Sequence, residues 1–138
     1  MKSSPASLRF VLILLGLGFL GAAASIIVQY RAGERRAQHA AEAMTGGSAE
    51  RGKVAIERLG CGACHIIPGI DRANGRVGPS LRALASRAMI AGRLPNRPAL
   101  LIAWVRAPEH VSPDTAMPDQ RVSDSAAHDI AAYLYTLR

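Results

Sequence analysis

Two cysteines and a histidine, in the run Cys61-Gly62-Ala63-Cys64-His65, form the constellation in this chain whose residue types and spacing carry a specific chemistry. Thiols three positions apart fall on one helical turn, and each can add to a vinyl group of the same porphyrin, leaving two thioether bonds. The adjoining imidazole then falls under the iron as an axial ligand. Three other chemistries use parts of the pattern. A redox dithiol wants a βαβ setting, and no strand-rich run surrounds this pair. A zinc site wants about four ligands, and the pentapeptide supplies three without a second Cys/His pair at a suitable spacing. A structural disulfide has no use for the histidine. The expected cofactor is one haem c, covalent through Cys61 and Cys64.

A low-spin electron carrier needs a second axial ligand, and a thioether sulfur there favours the ferrous state. Of four methionines, Met1 and Met44 lie outside the segment that follows the pentapeptide's own helix. Met117 sits in Thr115-Ala116-Met117-Pro118, a proline-stiffened loop 52 residues after His65. Met89 reads more simply as a packing residue, and His110 is the remaining alternative ligand.

The elements that must position these groups begin with an apolar run. Phe10 to Tyr30 holds 21 residues without a charged side chain. At about 1.5 Å per residue they make a helix of roughly 32 Å, matching a hydrocarbon core of about 30 Å. Lys2, Arg9 and Ala22-Ala23-Ala24 would also suit a cleaved signal peptide, but the run is longer than such a peptide needs. A retained anchor over residues 1–30 is the preferred reading. Gly16-Leu17-Gly18-Phe19-Leu20-Gly21 matches a dinucleotide fingerprint only by coincidence, because it lies inside the span with no strand before it. Gly18 and Ala22 could let another membrane helix approach.

Residues 31–47 are rich in Ala, Arg, Glu and Gln and read as a helical connector ended by Gly46-Gly47. Residues 48–138 form the remaining domain. Ser48 is placed to cap a helix reaching about Leu59, closed by Gly60. Ile66 to Val77 reads as a loop. Asn96 or Arg97 should cap a helix with Pro98 in its first turn, stopping before Pro108. Pro108 to Asp119, punctuated by three prolines, should be irregular. Ser123 opens a last helix expected to run to the C-terminus, with Ile130, Leu134 and Leu137 on its buried face and His128 facing solvent. The class is all-α.

Charge narrows the partners. The chain carries 17 basic and 10 acidic residues; only Lys2 and Arg9 precede the span and every acidic residue follows it, leaving a net +5 beyond it. Two ionised propionates would bring that to about +3, a modest excess suited to an acidic partner face. Aromatics are scarce and the basic residues scattered, which argues against nucleic acid.

Four motifs in order, Cys61-Gly62-Ala63-Cys64-His65, Gly78-Pro79-Ser80-Leu81, Ala116-Met117-Pro118-Asp119 and Ile130-Ala131-Ala132-Tyr133-Leu134, make residues 48–138 resemble a class I cytochrome c. The resemblance implies a helical domain around one haem, with Met117 and His65 on the iron. It further implies that the Pro79 carbonyl accepts a hydrogen bond from the imidazole, that Leu81 packs on the porphyrin, and that Trp104 lines the methionine side. It puts Gly52 and Ile56 where the first helix of the domain crosses the last near Tyr133. The family usually has an aromatic in place of Ile56, so that contact should be looser. Arg76 and Arg93 are candidates to neutralise a propionate.

Haem attachment in such proteins implies assembly outside the cytoplasmic membrane, so the expected location is the bacterial inner membrane, single-pass, with the haem domain on the periplasmic side. With both axial positions filled, there is no place for a small-molecule substrate, and the expected role is a carrier, not an enzyme. The anchor, Gly92-Arg93-Leu94-Pro95-Asn96 and the C-terminal run resemble small membrane-bound cytochromes c associated with haem-copper terminal oxidases. Implied partners are a terminal oxidase as acceptor and a donor of the quinol-cytochrome c reductase type. The alternatives are a fixed subunit of a larger oxidase or dehydrogenase complex and, if Met117 is labile, a haem enzyme or gas sensor.

Overall fold

The computed structural model describes residues 5–138. Lys2, and with it the first four residues of the expected anchor segment, lie outside the described residues. The chain divides into two units, Met1–Arg35 and Arg36–Arg138, a boundary inside the expected connector.

Helix α1 covers Pro5–Thr45. Its first part presents apolar side chains all round: Leu12, Leu15, Phe19 and Ile26 are each more than half exposed. A helix that is hydrophobic on every side has no aqueous face, and this one is long and apolar enough to cross a membrane. Gly16, Gly18 and Gly21 sit in its helical interior, where no phosphate-binding turn exists. No side chain or foreign backbone approaches them within 4 Å.

In the second unit, helix α2 covers Ala49–Arg58. The Ser48 hydroxyl accepts from the Arg51 amide at 3.4 Å, and Glu50 lies in the first turn, where the helix dipole favours a negative charge. Leu59 caps it, and Gly60 follows in the left-handed region at φ +70°. Helix α3 covers Pro98–Arg106, helix α4 Pro108–Val111 and helix α5 Asp124–Leu134. The Ser123 hydroxyl caps α5 by accepting from the Ala126 amide at 3.2 Å.

Four expectations change here. Pro108 does not merely interrupt: it starts the single turn of α4, because proline at the first helical position has its φ preset and lacks an amide that would go unpaired there. The last helix stops at Leu134 instead of reaching the C-terminus, and the Leu137 carbonyl accepts from the Ala85 amide at 3.0 Å. A small antiparallel pair, β1 (Met89–Ile90) and β2 (Leu94–Pro95), interrupts an otherwise helical unit. It turns Ile90 inward and leaves Met89 43% exposed, so Met89 is not a core residue.

The core gathers α2, α3 and α5. Ile56, Leu101, Val105, Ile130 and Leu134 are all buried, with Ala127 and Ala131 at zero exposure. Two alanines at that place let α2 come close to α5, and Gly52 brings the backbones together. A Cβ on Gly52 would stand 1.9 Å from the Asp129 carbonyl oxygen. The crossing therefore centres on Asp129 and Ile130, one turn before Tyr133. Ile56 is 1% exposed at this crossing.

His128 also departs from expectation. Its imidazole is half-buried, with Nδ1 2.5 Å from the Thr45 carbonyl. The helical wheel placed it opposite Ile130, but that second face of α5 is covered by residues 45–52.

Asp129 anchors the same region. Its carboxylate accepts from the Ser48 amide at 2.7 Å and from the Arg51 guanidinium at 2.8 Å. Burial opposes its ionisation, yet the Arg51 and Ser48 donors together hold its pKa below the ordinary value.

Gly52→Ala should force α2 away from α5 and cost about 2–3 kcal/mol. Thermal unfolding followed by circular dichroism should then show Tm lowered by roughly 10 °C or more. For Asp129, a folded pKa below the unfolded value near 3.9 makes its contribution complete above that value and lost as pH falls toward the folded one. Asp129→Asn should accordingly be less stable than wild type at pH 7. The difference should shrink in denaturant titrations below about pH 4.

Candidate functional site

Gly60 ends α2 and the chain enters a 3-10 turn at Cys61–Ala63. The His65 amide donates to the Cys61 carbonyl at 3.0 Å and the Cys64 amide to the same oxygen at 3.3 Å. Cys61, Cys64 and His65 are thus presented from one tight turn, each half-buried, with both thiols free. Burial pushes the pKa of the Cys61 thiol above its ordinary value.

The imidazole is oriented by Pro79. His65 Nδ1 lies 2.7 Å from the Pro79 carbonyl oxygen. A carbonyl can only accept, so Nδ1 carries the proton, and in the neutral ring Nε2 keeps its lone pair. The ring is fixed in the tautomer an axial ligand needs. Gly78 makes the approach possible: a Cβ there would stand 2.4 Å from His65 Cε1. The Gly78 amide donates to the Cys64 carbonyl at 2.8 Å, tying this loop to the thiol-bearing turn.

Leu81 and Trp104 are half-buried and, like Cys61, pack against the core cluster. The Leu81 amide donates to the Ile66 carbonyl at 2.8 Å. Met117 is half-buried in the irregular stretch between α4 and α5, and its amide donates to the Thr115 hydroxyl at 3.2 Å. His110 is exposed on α4.

Arg93, one of two candidates to neutralise a propionate, pairs with a carboxylate of the chain itself. Its guanidinium donates to both oxygens of Asp114, at 2.9 and 2.7 Å, and to the Ser112 hydroxyl at 3.0 Å. The planar fork matches a carboxylate edge-on, and the Arg93 and Ser112 donors hold Asp114 down to about 2. The pair braces the beginning of the segment that carries Met117. Arg76 is exposed.

Three polar side chains not recognised in the sequence as parts of the site hold its loops. Tyr133 donates to the Pro68 carbonyl at 2.7 Å. Asn96, read only as a possible helix cap, accepts from the Tyr135 hydroxyl at 2.7 Å. It also donates to the Leu84 and Arg87 carbonyls. Arg87 donates to the Ser80 and Arg82 carbonyls at 2.5 and 2.7 Å, clamping the segment after Pro79. Asn96 and Arg87 lie in a loop-rich stretch and Tyr133 in α5, and nothing local to any of them indicates its partner.

The residues present suit a porphyrin better than a bare ion. Among the described residues no three His, Cys, Asp or Glu side chains converge as a metal-ion cage. Two half-buried thiols, an imidazole with a free Nε2 and apolar groups at Leu81 and Trp104 fit a flat, thioether-linked group.

Residues 49–138 match the family model described as Cytochrome c. Over 91 residues, 65% of this chain, the sequence is 31% identical to "Cytochrome c oxidase subunit 2" of Alkalihalophilus pseudofirmus. The chain spans about a quarter of that curated relative's length, 26%. No solved structure gives a significant match.

Gly78→Ala should displace the imidazole from its bond to Pro79. NMR of the oxidised haem protein should show the paramagnetically shifted resonances of the ligating imidazole displaced, and the reduction potential should move from the wild-type value. An unchanged spectrum would mean that the ring is not held from this side.

Proposed function

We propose, from the premise that this chain belongs to the cytochrome c family, that it carries single electrons while anchored in a membrane by α1. Membership makes it an electron-transfer haem protein, with haem c covalently bound. In the fuller reading, Cys61 and Cys64 would hold one haem through thioether bonds, and His65 and Met117 would supply the nitrogen and sulfur ligands of its iron. The observation that carries this is the 2.7 Å contact of His65 Nδ1 with the Pro79 carbonyl, which frees Nε2 for a metal.

Haem iron, when bound, supplies the one-electron ferric/ferrous couple. Pro79 holds the imidazole, Arg87 clamps the segment that carries the Pro79 carbonyl, and Arg93 with Asp114 steadies the approach to Met117. Leu81 and Trp104, both half-buried, would offer the porphyrin apolar surface and lower the local dielectric. A thioether ligand from Met117 would raise the potential and leave no coordination position for a substrate. The chain is therefore read as a carrier, not an enzyme.

The acceptor in this reading is a haem-copper terminal oxidase and the donor a quinol-cytochrome c reductase type of complex. The site is the periplasmic side of the bacterial inner membrane. Residues 1–30 act as tail and anchor, 31–47 as connector and 48–138 as the electron-carrying domain. A second reading, a fixed subunit of an oxidase, draws support from the similarity to part of a cytochrome c oxidase subunit 2. Extraction in a gentle detergent separates the two: co-migration with an oxidase indicates a subunit, and a lone haem band at 14.6 kDa indicates a shuttle.

Met117→Ala should abolish the sulfur-to-iron charge-transfer band of the oxidised protein and lower the reduction potential. Carbon monoxide binding by the reduced form should rise from negligible to stoichiometric. A wild-type protein that already lacks the band and binds carbon monoxide would overturn the carrier reading.

A further inference from the structure

Residues 38–48 precede the stretch that matches the family model, which begins at residue 49. Their composition reads as a solvent-borne connector. The contacts within the second unit are of another kind. Ala41 is completely buried and Thr45 is 3% exposed, on a segment where a free helix would bury nothing.

Both helix ends in this stretch are satisfied from outside themselves. At the end of α1, the Thr45 carbonyl faces His128 Nδ1 of α5, and the Thr45 hydroxyl donates to the Ala41 carbonyl at 2.8 Å while accepting from the Gly47 amide at 3.3 Å. A helix leaves its last carbonyls unpaired, and a histidine beside them suits the negative end of the dipole. At the start of α2, the Ser48 amide donates to Asp129 of α5, and the Ala49 amide donates to Glu42 of α1 at 3.0 Å. Glu42 is steadied in turn by Gln38 at 3.1 Å.

Gly47 makes the seat close. A Cβ there would lie 2.3 Å from the His128 carbonyl carbon and oxygen, both backbone atoms that cannot rotate aside. Gly46, at φ +69°, turns the chain between the two helices.

From these contacts we propose that residues 38–48 are a docked joint belonging to the haem domain, closed on α5 by His128 and Asp129. Read from composition these residues would sweep freely as a linker; within the second unit they are used for docking. The proposal concerns this stretch alone and does not depend on which partner receives the electron.

Hydrogen exchange on the full-length haem-loaded protein in detergent micelles tests it. Amides of residues 45–52 should be protected as strongly as those of α5, and Gly47→Ala should speed their exchange by about tenfold or more. His128→Ala, which keeps the backbone unchanged and removes one hydrogen bond, should speed it by about three- to tenfold. The visible haem spectrum should stay as in wild type in both variants, which separates failure of the joint from failure of the electron-transfer reading. Exchange of residues 45–49 at the rate of free peptide in wild type, or no acceleration in either variant, would overturn the proposal.

Discussion

Without a side chain at Gly52, the backbone of α2 closes onto the Asp129 carbonyl of α5, and the remainder of the second unit is arranged from that contact. Packing at this distance buries Ile56 and Ile130 and leaves room for little more than alanine at positions 127 and 131. It also fixes the course of α2, whose end at Leu59 and Gly60 leads directly into Cys61. At the other end of the crossing, Tyr133 of α5 and its capping residue Tyr135 reach the loops. A displacement of α5 would be felt at the Pro68 carbonyl and at Asn96 together.

Polar bonds, not regular structure, hold the part of the domain that bears the candidate site. From Ile66 to Arg97 the described backbone has one short 3-10 turn, one two-residue strand pair and an isolated bridge between Ile66 and Asn74. Order in such a stretch comes from backbone turns and from side chains that satisfy loop carbonyls. Arg87 and Asn96 do so, and no buried side-chain nitrogen or oxygen among the described residues is left without a partner. The Pro79 carbonyl is then free to serve His65 alone. A site built this way has its geometry set by several weak interactions acting on one loop, and each is a place where the imidazole's orientation can be tuned.

Several expectations failed for a shared reason. A helical wheel turns His128 to solvent because it shows one packed face on α5, while the fold covers a second with residues 45–52. The Asp114 carboxylate that pairs with Arg93 lies 21 positions away, out of reach of local pattern. Met89 looked apolar enough for the core, but β pairing alternates its residues and gave the inward place to Ile90. Tertiary neighbours override local pattern in each case.

Local chemistry is what the sequence by itself determined. Three donors within five residues, a proline-bounded methionine and an apolar run of membrane length are one-dimensional facts, and caps such as Ser48 and Ser123 act within three residues of themselves. The all-α class and the family followed from them. Only the tertiary structure decided which carbonyl meets His65, which carboxylate meets Arg93, how closely α2 rides on α5, and that residues 38–48 are seated rather than free. Those outcomes rest on pairs separated by up to 83 positions. Their free energy depends on distance and burial in three dimensions, which spacing along a chain does not encode.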